Sequence, residues 1–585
     1  MAAYRVKFAP GYSENEALTD LFGSDEEDIP NESDGSEAEE DNMEVEIEDQ
    51  EEDEEIQDEY VKDDSRFMVS KDEKIKWDTV EPKTPGKILS RNIIRQDAGF
   101  PGHIQCVEKS EFFRCFITDL MVKNICQYTN QRANQIKDRK SLRKWKNLDS
   151  IEFLAFLGLC ITYGVQKGRG KPLNEFWSDE FGFPIFKATM SRSRFENILS
   201  CLRFDNKETR EARKRETKNK AEAVSEMMNL FSSACKSSFI PGPNITVDEH
   251  LCTFRGRCAF KVYIPSKPGK YGLIIKIWMA VDCENMYIVN LQIYAGKHGD
   301  MREIQQGKRV VMDLVSHLSG SGRNITTDNF FTSFDLGQDL LKLSLTLVGT
   351  MRKNRRELPP IMLPSKNREI NSSNFAFSHN TLLTSYVPSK GKSVVLLSTQ
   401  HKAFEICSSE KKKPEVILYY NSTKFGVDTV DQMARQYSVK RGTRRWPLTI
   451  FFDIVDLAGI NAYQMYLRKY PSFRGKNSRR RFLLELAKEL ITPEIHRRIG
   501  KTGCQTKRIQ TAIKNAGIGN ILPENEIEIM SKNKRGRCCI CPRKSDKKTN
   551  THCNICNRYV CSNHVQKRSI CMQCDSNGSG DEDSD

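Results

Sequence analysis

At Asn244 the chain abandons the helical period that governs its first half, and the order of elements after that point constrains the fold more than any other feature. NITVDEHL, YGLIIKIWMAVD and MYIVNLQIYAG are β-rich runs, the last two separated by the turn-like Cys283-Glu284-Asn285. A helical stretch, EIQQGKRVVMDLVSHLSG, comes next. It is followed by a short strand RNITTD, a helix from about Ser333 to Lys342, and a strand TLVGTM. Before the switch, residues 110–235 carry helical periodicities, as in SEFFRCFITDLMVKNICQYTN and SIEFLAFLGLCITYG. Beyond the last strand, residues 352–415 are more polar, contain five prolines and repeatedly break pattern, so they read as an insertion. Helical character returns in GVDTVDQMARQYS, WPLTIFFDIVDLAGINAYQMY and SRRRFLLELAKELI. There is no internal repeat.

Strand, strand, strand, helix, strand, helix, strand is the order of an RNase H-like fold, a mixed α/β sheet flanked by helices. Enzymes of that fold which cut phosphodiesters need carboxylates that hold two divalent metals about 3.5–4 Å apart. One carboxylate belongs on the first strand, one at the end of the fourth, and one on a later helix. Asp248 lies on the first strand, Asp328 ends RNITTD, and Asp428 opens the helix GVDTVDQM. Each aspartate alone is an ordinary solvated or capping residue; three at the topologically required places are a candidate metal-binding triad. Asp453 and Asp456 in FFDIVDL compete for the third position, but they sit inside an apolar helix and read as structural or capping.

The 585 residues suggest roughly three to five folded units. The net charge of +13 conceals an asymmetry: residues 1–64 hold 26 Asp and Glu against Arg5, Lys7 and Lys62, a local charge of −23, which leaves +36 on the remainder. A body that basic suits a polyphosphate partner, and residues 13–65 have too little to bury and too much self-repulsion to fold. The N-terminus carries no signal-peptide core, and the longest apolar run, Phe153 to Val165, is short for a bilayer span and reads as a buried helix. A soluble intracellular protein is expected.

Of 19 cysteines, eleven are scattered and eight crowd between Cys538 and Cys574. The run reads Cys538-x2-Cys541-x11-Cys553-x2-Cys556-x4-Cys561-x2-His564-x6-Cys571-x2-Cys574. Four pairs at two-residue spacing supply ligands for two tetrahedral Zn²⁺ sites. In a cross-brace, Cys538, Cys541, Cys561 and His564 hold one ion, Cys553, Cys556, Cys571 and Cys574 the other, and Cys539 is spare. So short a module has little core of its own, so both ions are expected to be structural. The surrounding loops are basic (Lys532, Lys534, Arg535, Arg537, Arg543, Lys544, Lys547, Lys548), which favours DNA over a protein partner. The same cluster is a candidate nuclear import signal.

The strings VDEHLCTFRGR, PSKPGKYGLIIKIW, TTDNFFTS, LVGTMRKNRRELP, YYNSTKFGVDTVDQM and RRWP, collinear from about Phe112 to the C-terminus, resemble those of the piggyBac family of DNA transposases. The resemblance implies a cut-and-paste enzyme acting at TTAA sites, with a DDD RNase H-like domain split by an insertion. It places Asp248, Asp328 and Asp428 in the Mg²⁺- or Mn²⁺-binding triad and adds Asp431, three residues after Asp428, as a further catalytic aspartate. It matches Trp446 to a tryptophan near the active site and makes Trp446, Arg444 and Arg445 DNA-binding candidates; the indole either stacks on a distorted base or anchors the next helix. It makes the cysteine-rich module, with Lys534, Arg535 and Arg537, a binder of transposon-end DNA. The implied chemistry is hydrolysis at the transposon end, attack of the freed 3′-hydroxyl on the opposite strand to form a hairpin, then attack on target DNA.

The implied organisation is an acidic disordered region (1–96), a helical dimerisation and DNA-binding domain in two parts (97–243 and 438–530), and a catalytic domain in two parts (244–351 and 416–437) around the insertion (352–415). The zinc-binding domain (535–575) and an acidic tail (576–585) complete it. Expected partners are double-stranded DNA and further copies of the chain, in a homodimer or higher assembly on DNA, in the nucleus. The alternative is a domesticated descendant that binds DNA or chromatin without transposing. A ubiquitin ligase built on the C-terminal fingers leaves the three aspartates unexplained.

Overall fold

A computed structural model of the chain describes residues 44–45, 66–81, 93–94, 96–136, 142, 145–264, 273–296, 303–364, 367–499, 507–517, 535–545, 547–551 and 558–564. Of the acidic run 1–96 expected to be disordered, residues 44–45, 66–81, 93–94 and 96 fall among these. They hold β1 (Glu44–Val45) and two further strands, Phe67–Val69 and Lys76–Asp78, with Trp77 fully buried, so 66–81 is folded into the sheet against that expectation. The rest of that run and the acidic tail lie outside the described residues. By contact density the chain forms two compact units, Met1–Pro172 with Ser193–Ile491, and Leu173–Arg192 with Thr492–Asp585.

The first unit opens with α1 (Lys109–Arg114), α2 (Asp119–Gln135) and α3 (Ser150–Val165). Two short helices of the second unit, α4 (Leu173–Phe176) and α5 (Pro184–Thr189), precede α6 (Arg192–Cys201), α7 (Lys207–Thr217) and α8 (Glu222–Ser238). Thr118 and Asp149 cap α2 and α3 by accepting from the backbone N–H of Met121 and Glu152, which satisfies donors no helix can pair internally. Helix α3 is buried from Ala155 to Val165. Among the described residues no helix is long and apolar enough to cross a membrane.

One sheet gathers β1 with β2 (Phe67–Val69), β3 (Lys76–Asp78), β4 (Asn244–Thr253), β5 (Val262–Tyr263), β6 (Leu273–Asp282), β7 (Tyr287–Ile293), β8 (Asn324–Thr327), β9 (Thr346–Thr350), β10 (Ser373–Ser378), β11 (Thr381–Ser389) and β12 (Lys392–Ser398). Its order is β1-β5-β6-β4-β8-β9-β12-β11-β10-β3-β2, with β7 also paired to β6. Strand β4 is antiparallel to β6 but parallel to β8, which is parallel to β9. Parallel neighbours require crossovers. Helices α9 (Gln306–Val315) and α10 (Phe334–Lys342) supply them, leading into β8 and β9 respectively. The chain continues through α11 (Glu415–Thr423), α12 (Gly426–Gln436), α13 (Trp446–Lys469) and α14 (Ser478–Ile499).

Side chains alternate faces along a strand, so Thr246, Asp248, His250 and Cys252 share one face of β4. That face is covered by α11, α12 and α13. The other face carries Ile245 and Val247, both fully buried. At the β7 edge, Asn461 of α13 replaces a missing strand: its Oδ1 accepts from Ile288 N at 2.8 Å and its Nδ2 donates to Ile288 O at 3.0 Å. Asn461→Leu strands both backbone groups in the interior. It is expected to cost about 2–4 kcal/mol, read as a lower midpoint in urea unfolding followed by tryptophan fluorescence.

The segment 352–415, expected only as a pattern-breaking insertion, contains β10, β11 and β12, an antiparallel meander hydrogen-bonded through β12 to β9. Its strands escape a hydrophobicity reading because β11 buries Thr381, Thr384 and Ser385 completely beside its leucines. Helix α11, just past the insertion, was likewise not expected. In the second unit, α5 packs against α15 (Lys507–Asn515). Phe176, Phe183 and Phe186 cluster there with ring centroids 5.2–6.4 Å apart.

Candidate active site

The three aspartates proposed from the sequence come together. The last paired residues of β4 and β8 are Val247 and Thr327, so Asp248 and Asp328 are the next residues on two adjacent parallel strands. Helix α12 then brings Asp428, in its first turn, over β4. Burial, followed by repulsion from Asp328 and also from Asp428, drives the Asp248 carboxyl well above the ordinary carboxylate range. Asp428 is exposed, and Asp248 and Asp328 are half-buried. Mutual repulsion of this kind marks a site suited to a hard divalent cation, which prefers carboxylate oxygens.

Each aspartate is held by its neighbours. Asp248 Oδ1 accepts from Glu249 N at 2.8 Å. Asp328 Oδ1 accepts from Phe330 N at 3.0 Å, and its carbonyl accepts from the Thr332 hydroxyl at 2.7 Å. For Asp428 the anchor is the start of α12. The Thr246 hydroxyl donates to the Thr423 carbonyl at 2.6 Å, and a Cβ on Gly426 would lie 2.8 Å from the Thr246 hydroxyl oxygen. Only glycine lets the helix begin this close to the strand.

Two residues beyond Asp248 on the same strand face, His250 makes a bridge. Its Nδ1 bonds Asp431 Oδ1, and its Nε2 bonds Asp453 Oδ1 and Oδ2 at 2.9 and 3.0 Å. Burial opposes a charge on His250, but the carboxylates of Asp453 and Asp431 outweigh it and raise its basicity well above the ordinary value. Asp431 is buried, and its other oxygen accepts from Arg435 Nη2 at 3.1 Å. Asp456 accepts from the Ser438 hydroxyl at 2.6 Å and Val439 N at 2.9 Å, a capping arrangement, and burial pushes its carboxyl up to about 8.

The DNA candidates divide. The Trp446 indole is 6% exposed and lies edge-on to Phe260, centroids 4.9 Å apart, so it occupies an anchoring position at the start of α13. Arg445 Nη1 donates to the carbonyls of Leu199 and Ser200 at 3.1 and 3.3 Å and Nη2 to that of Leu202, closing the end of α6. Arg444, Arg535 and Arg537 are exposed; Lys534 lies outside the described residues.

The C-terminal run also converges. Cys538, Cys541, Cys561 and His564 each offer a ligand atom, all within 4.8 Å of one another. Cys541 Sγ lies 3.6 Å from Cys561 Sγ and 3.5 Å from His564 Nδ1, and Cys561 Sγ lies 3.4 Å from the same nitrogen. Tetrahedral ligands at zinc bond lengths sit about 3.5–3.8 Å apart, so this set fits one ion. Backbone N–H groups, first that of Cys561, lower the Cys538 thiol to about 5, toward the thiolate a metal needs. Cys553, Cys556, Cys571 and Cys574 lie outside the described residues, and Cys539 is exposed.

Two site residues were not anticipated from the sequence. His250 could have been found from strand alternation, at i+2 from Asp248. Tyr420, on α11, has its hydroxyl raised to about 12, first by burial and then by the charges of Asp328, Asp248 and Asp428. No pattern in YYNSTK announces that role.

Known proteins resemble this chain over much of its length. The model of the family described as Transposase IS4 matches residues 108–463. The chain is 24% identical over 380 residues to the human piggyBac transposable element-derived protein 3, covering 61% of each. To the human piggyBac transposable element-derived protein 5 it is 22% identical over 269 residues, 43% of this chain and 49% of that one. The chain thus spans less than two thirds of the length of either relative. A cryo-EM structure of a piggyBac transposase synaptic complex with hairpin DNA superposes with a TM-score of 0.69 at 30% identity, covering 82% of this chain and 100% of that one.

Proposed function

Because the chain belongs to the Transposase IS4 family and is piggyBac-like within it, we propose that it is a cut-and-paste DNA transposase whose strand cleavage and hairpin formation are carried out at Asp248, Asp328 and Asp428, with integration at TTAA. The observation that carries this is the placement of Asp248 and Asp328 on neighbouring parallel strands with Asp428 brought over them. The strand order β7-β6-β4-β8-β9 supports an RNase H-like catalytic domain. The three carboxylates would hold Mg²⁺ or Mn²⁺, which supplies Lewis-acid polarisation of the scissile phosphodiester. Asp248 and Asp328 are fixed by the sheet, and Asp428 approaches from the helix. Tyr420 keeps its proton through the neutral range and is a hydrogen-bond donor in the same field.

Arg444, Arg535 and Arg537 are proposed as phosphate contacts, and Lys534 as part of the same basic cluster. Trp446 and Arg445 act by fixing the entry to α13. Two structural Zn²⁺ ions are proposed for the C-terminal module. A dimer on transposon-end DNA, in the nucleus, completes the reading; one solved structural relative is a synaptic complex with hairpin DNA. A second reading, a DNA-binding derivative without transposition, is favoured by the names of the human relatives, both element-derived proteins.

The test is an excision assay in cells, with a reporter flanked by the element's terminal repeats and TTAA. Precise excision by wild type but not by Asp248→Asn supports the transposase. End binding without excision supports the derivative. Within the transposase, Gly426→Ala pushes α12 off Thr246 and moves Asp428. It is expected to slow single-turnover cleavage by about 100-fold while leaving end binding in gel-shift assays unchanged.

A further inference from the structure

We propose that His250 is a positioning residue of the carboxylate centre, fixing helix α12 relative to β4 through an Asp431–His250–Asp453 bridge. The inference rests on the transposase reading and concerns how its triad is held. Two attachments tie α12 to the strand: Thr246 against Thr423 and Gly426 at its start, and His250 against Asp431. Asp428 lies between them in sequence on the helix, as Asp248 does on the strand. The separation of Asp248 from Asp428 is therefore set from both sides.

The bridge is built for rigidity. His250 is 3% exposed and Asp431 7%, so neither exchanges its partner for water. Asp453 grips Nε2 with both oxygens, at 2.9 and 3.0 Å, from the separate helix α13. The ring can therefore neither rotate nor withdraw without breaking bonds to two helices. Removing the ring leaves the buried Asp431 carboxylate facing the half-buried Asp453 carboxylate without the group that bridged them, and their repulsion acts directly on α12. Asp431 contributes by holding the helix, since its oxygens are engaged by His250 and Arg435.

The experiment uses the full chain bound to transposon-end DNA, comparing wild type, His250→Ala, His250→Gln and Asp453→Asn. Mn²⁺ binding is measured from the loss of the free-ion EPR signal, and single-turnover cleavage across a Mg²⁺ titration. Removing a residue that orients metal ligands typically weakens metal binding about 10–100-fold. That loss is expected for His250→Ala, with a matching rise in the Mg²⁺ needed for half-maximal cleavage and with end binding unchanged. His250→Gln, whose amide keeps one bond, should recover most of it. Adding Asp431→Asn to His250→Ala should cost nothing further, since both break one linkage. Asp453→Asn, remote from the triad, should weaken Mn²⁺ binding in the same direction and serves if His250→Ala does not fold. Wild-type Mn²⁺ affinity and cleavage in His250→Ala, or in Asp453→Asn should the former be unfolded, overturns the positioning role alone. A wild-type protein that neither binds Mn²⁺ nor cleaves overturns the transposase reading with it.

Discussion

Asp328→Asn is expected to reduce strand cleavage by about 10³-fold or more while leaving transposon-end binding within a few-fold of wild type. Asparagine keeps the shape and the bond accepted from Phe330 N, so the turn after β8 should survive. What it removes is a charge. Without that charge a divalent cation loses one ligand oxygen's attraction, and Asp248 loses its strongest repelling neighbour. The same substitution should therefore raise the thermal midpoint by a degree or two, because the native site stores like-charge repulsion. Single-turnover cleavage, gel shifts and a melting curve on one preparation test all three effects. Cleavage at the wild-type rate would move the chemistry to other residues.

Removing zinc is expected to dismantle the C-terminal module and to weaken end binding about 10–100-fold, whether by chelation or by Cys561→Ser. Beyond the ligand cysteines, Val560 is the buried apolar side chain among the module's described residues. A core so small does not pay the ordering entropy, whereas a structural zinc ion contributes about 10–16 kcal/mol. The first unit has its own sheet and core and should melt as before. Zinc release counted with a colorimetric chelator measures stoichiometry at the same time. Two ions per chain support the cross-brace, and one restricts the metal to Cys538, Cys541, Cys561 and His564. Unchanged end binding after complete release would separate the module from DNA recognition.

The part of the fold that carries the three aspartates was legible because its signals are local. The period-two runs around Asp248 and Asp328 and the helix opening at Asp428 each fit within about ten residues, and their order carried the topology. The His250 bridge was not legible, since it joins positions 181 and 203 residues apart and depends on which face each helix turns inward. The strands of the insertion were hidden by buried threonine and serine. Arg445 stood among the DNA-binding candidates of the RRWP string, and in the fold its guanidinium closes a helix end 243–246 residues upstream. Charge identifies what a side chain can bind; the fold decides which partner reaches it first.

The meander of the insertion shares backbone hydrogen bonds with β9, and β9 shares them with β8, at whose end Asp328 stands. The insertion is therefore not a cassette. Cut out between residues 352 and 415, it would leave β9 as a bare edge, inviting the pairing with other chains that exposed strands provoke. Transplanted from a relative, it would have to match the twist and register of the host sheet before it could match any function. Lineages of such proteins should accordingly vary the loops of this segment freely and its three strands hardly at all.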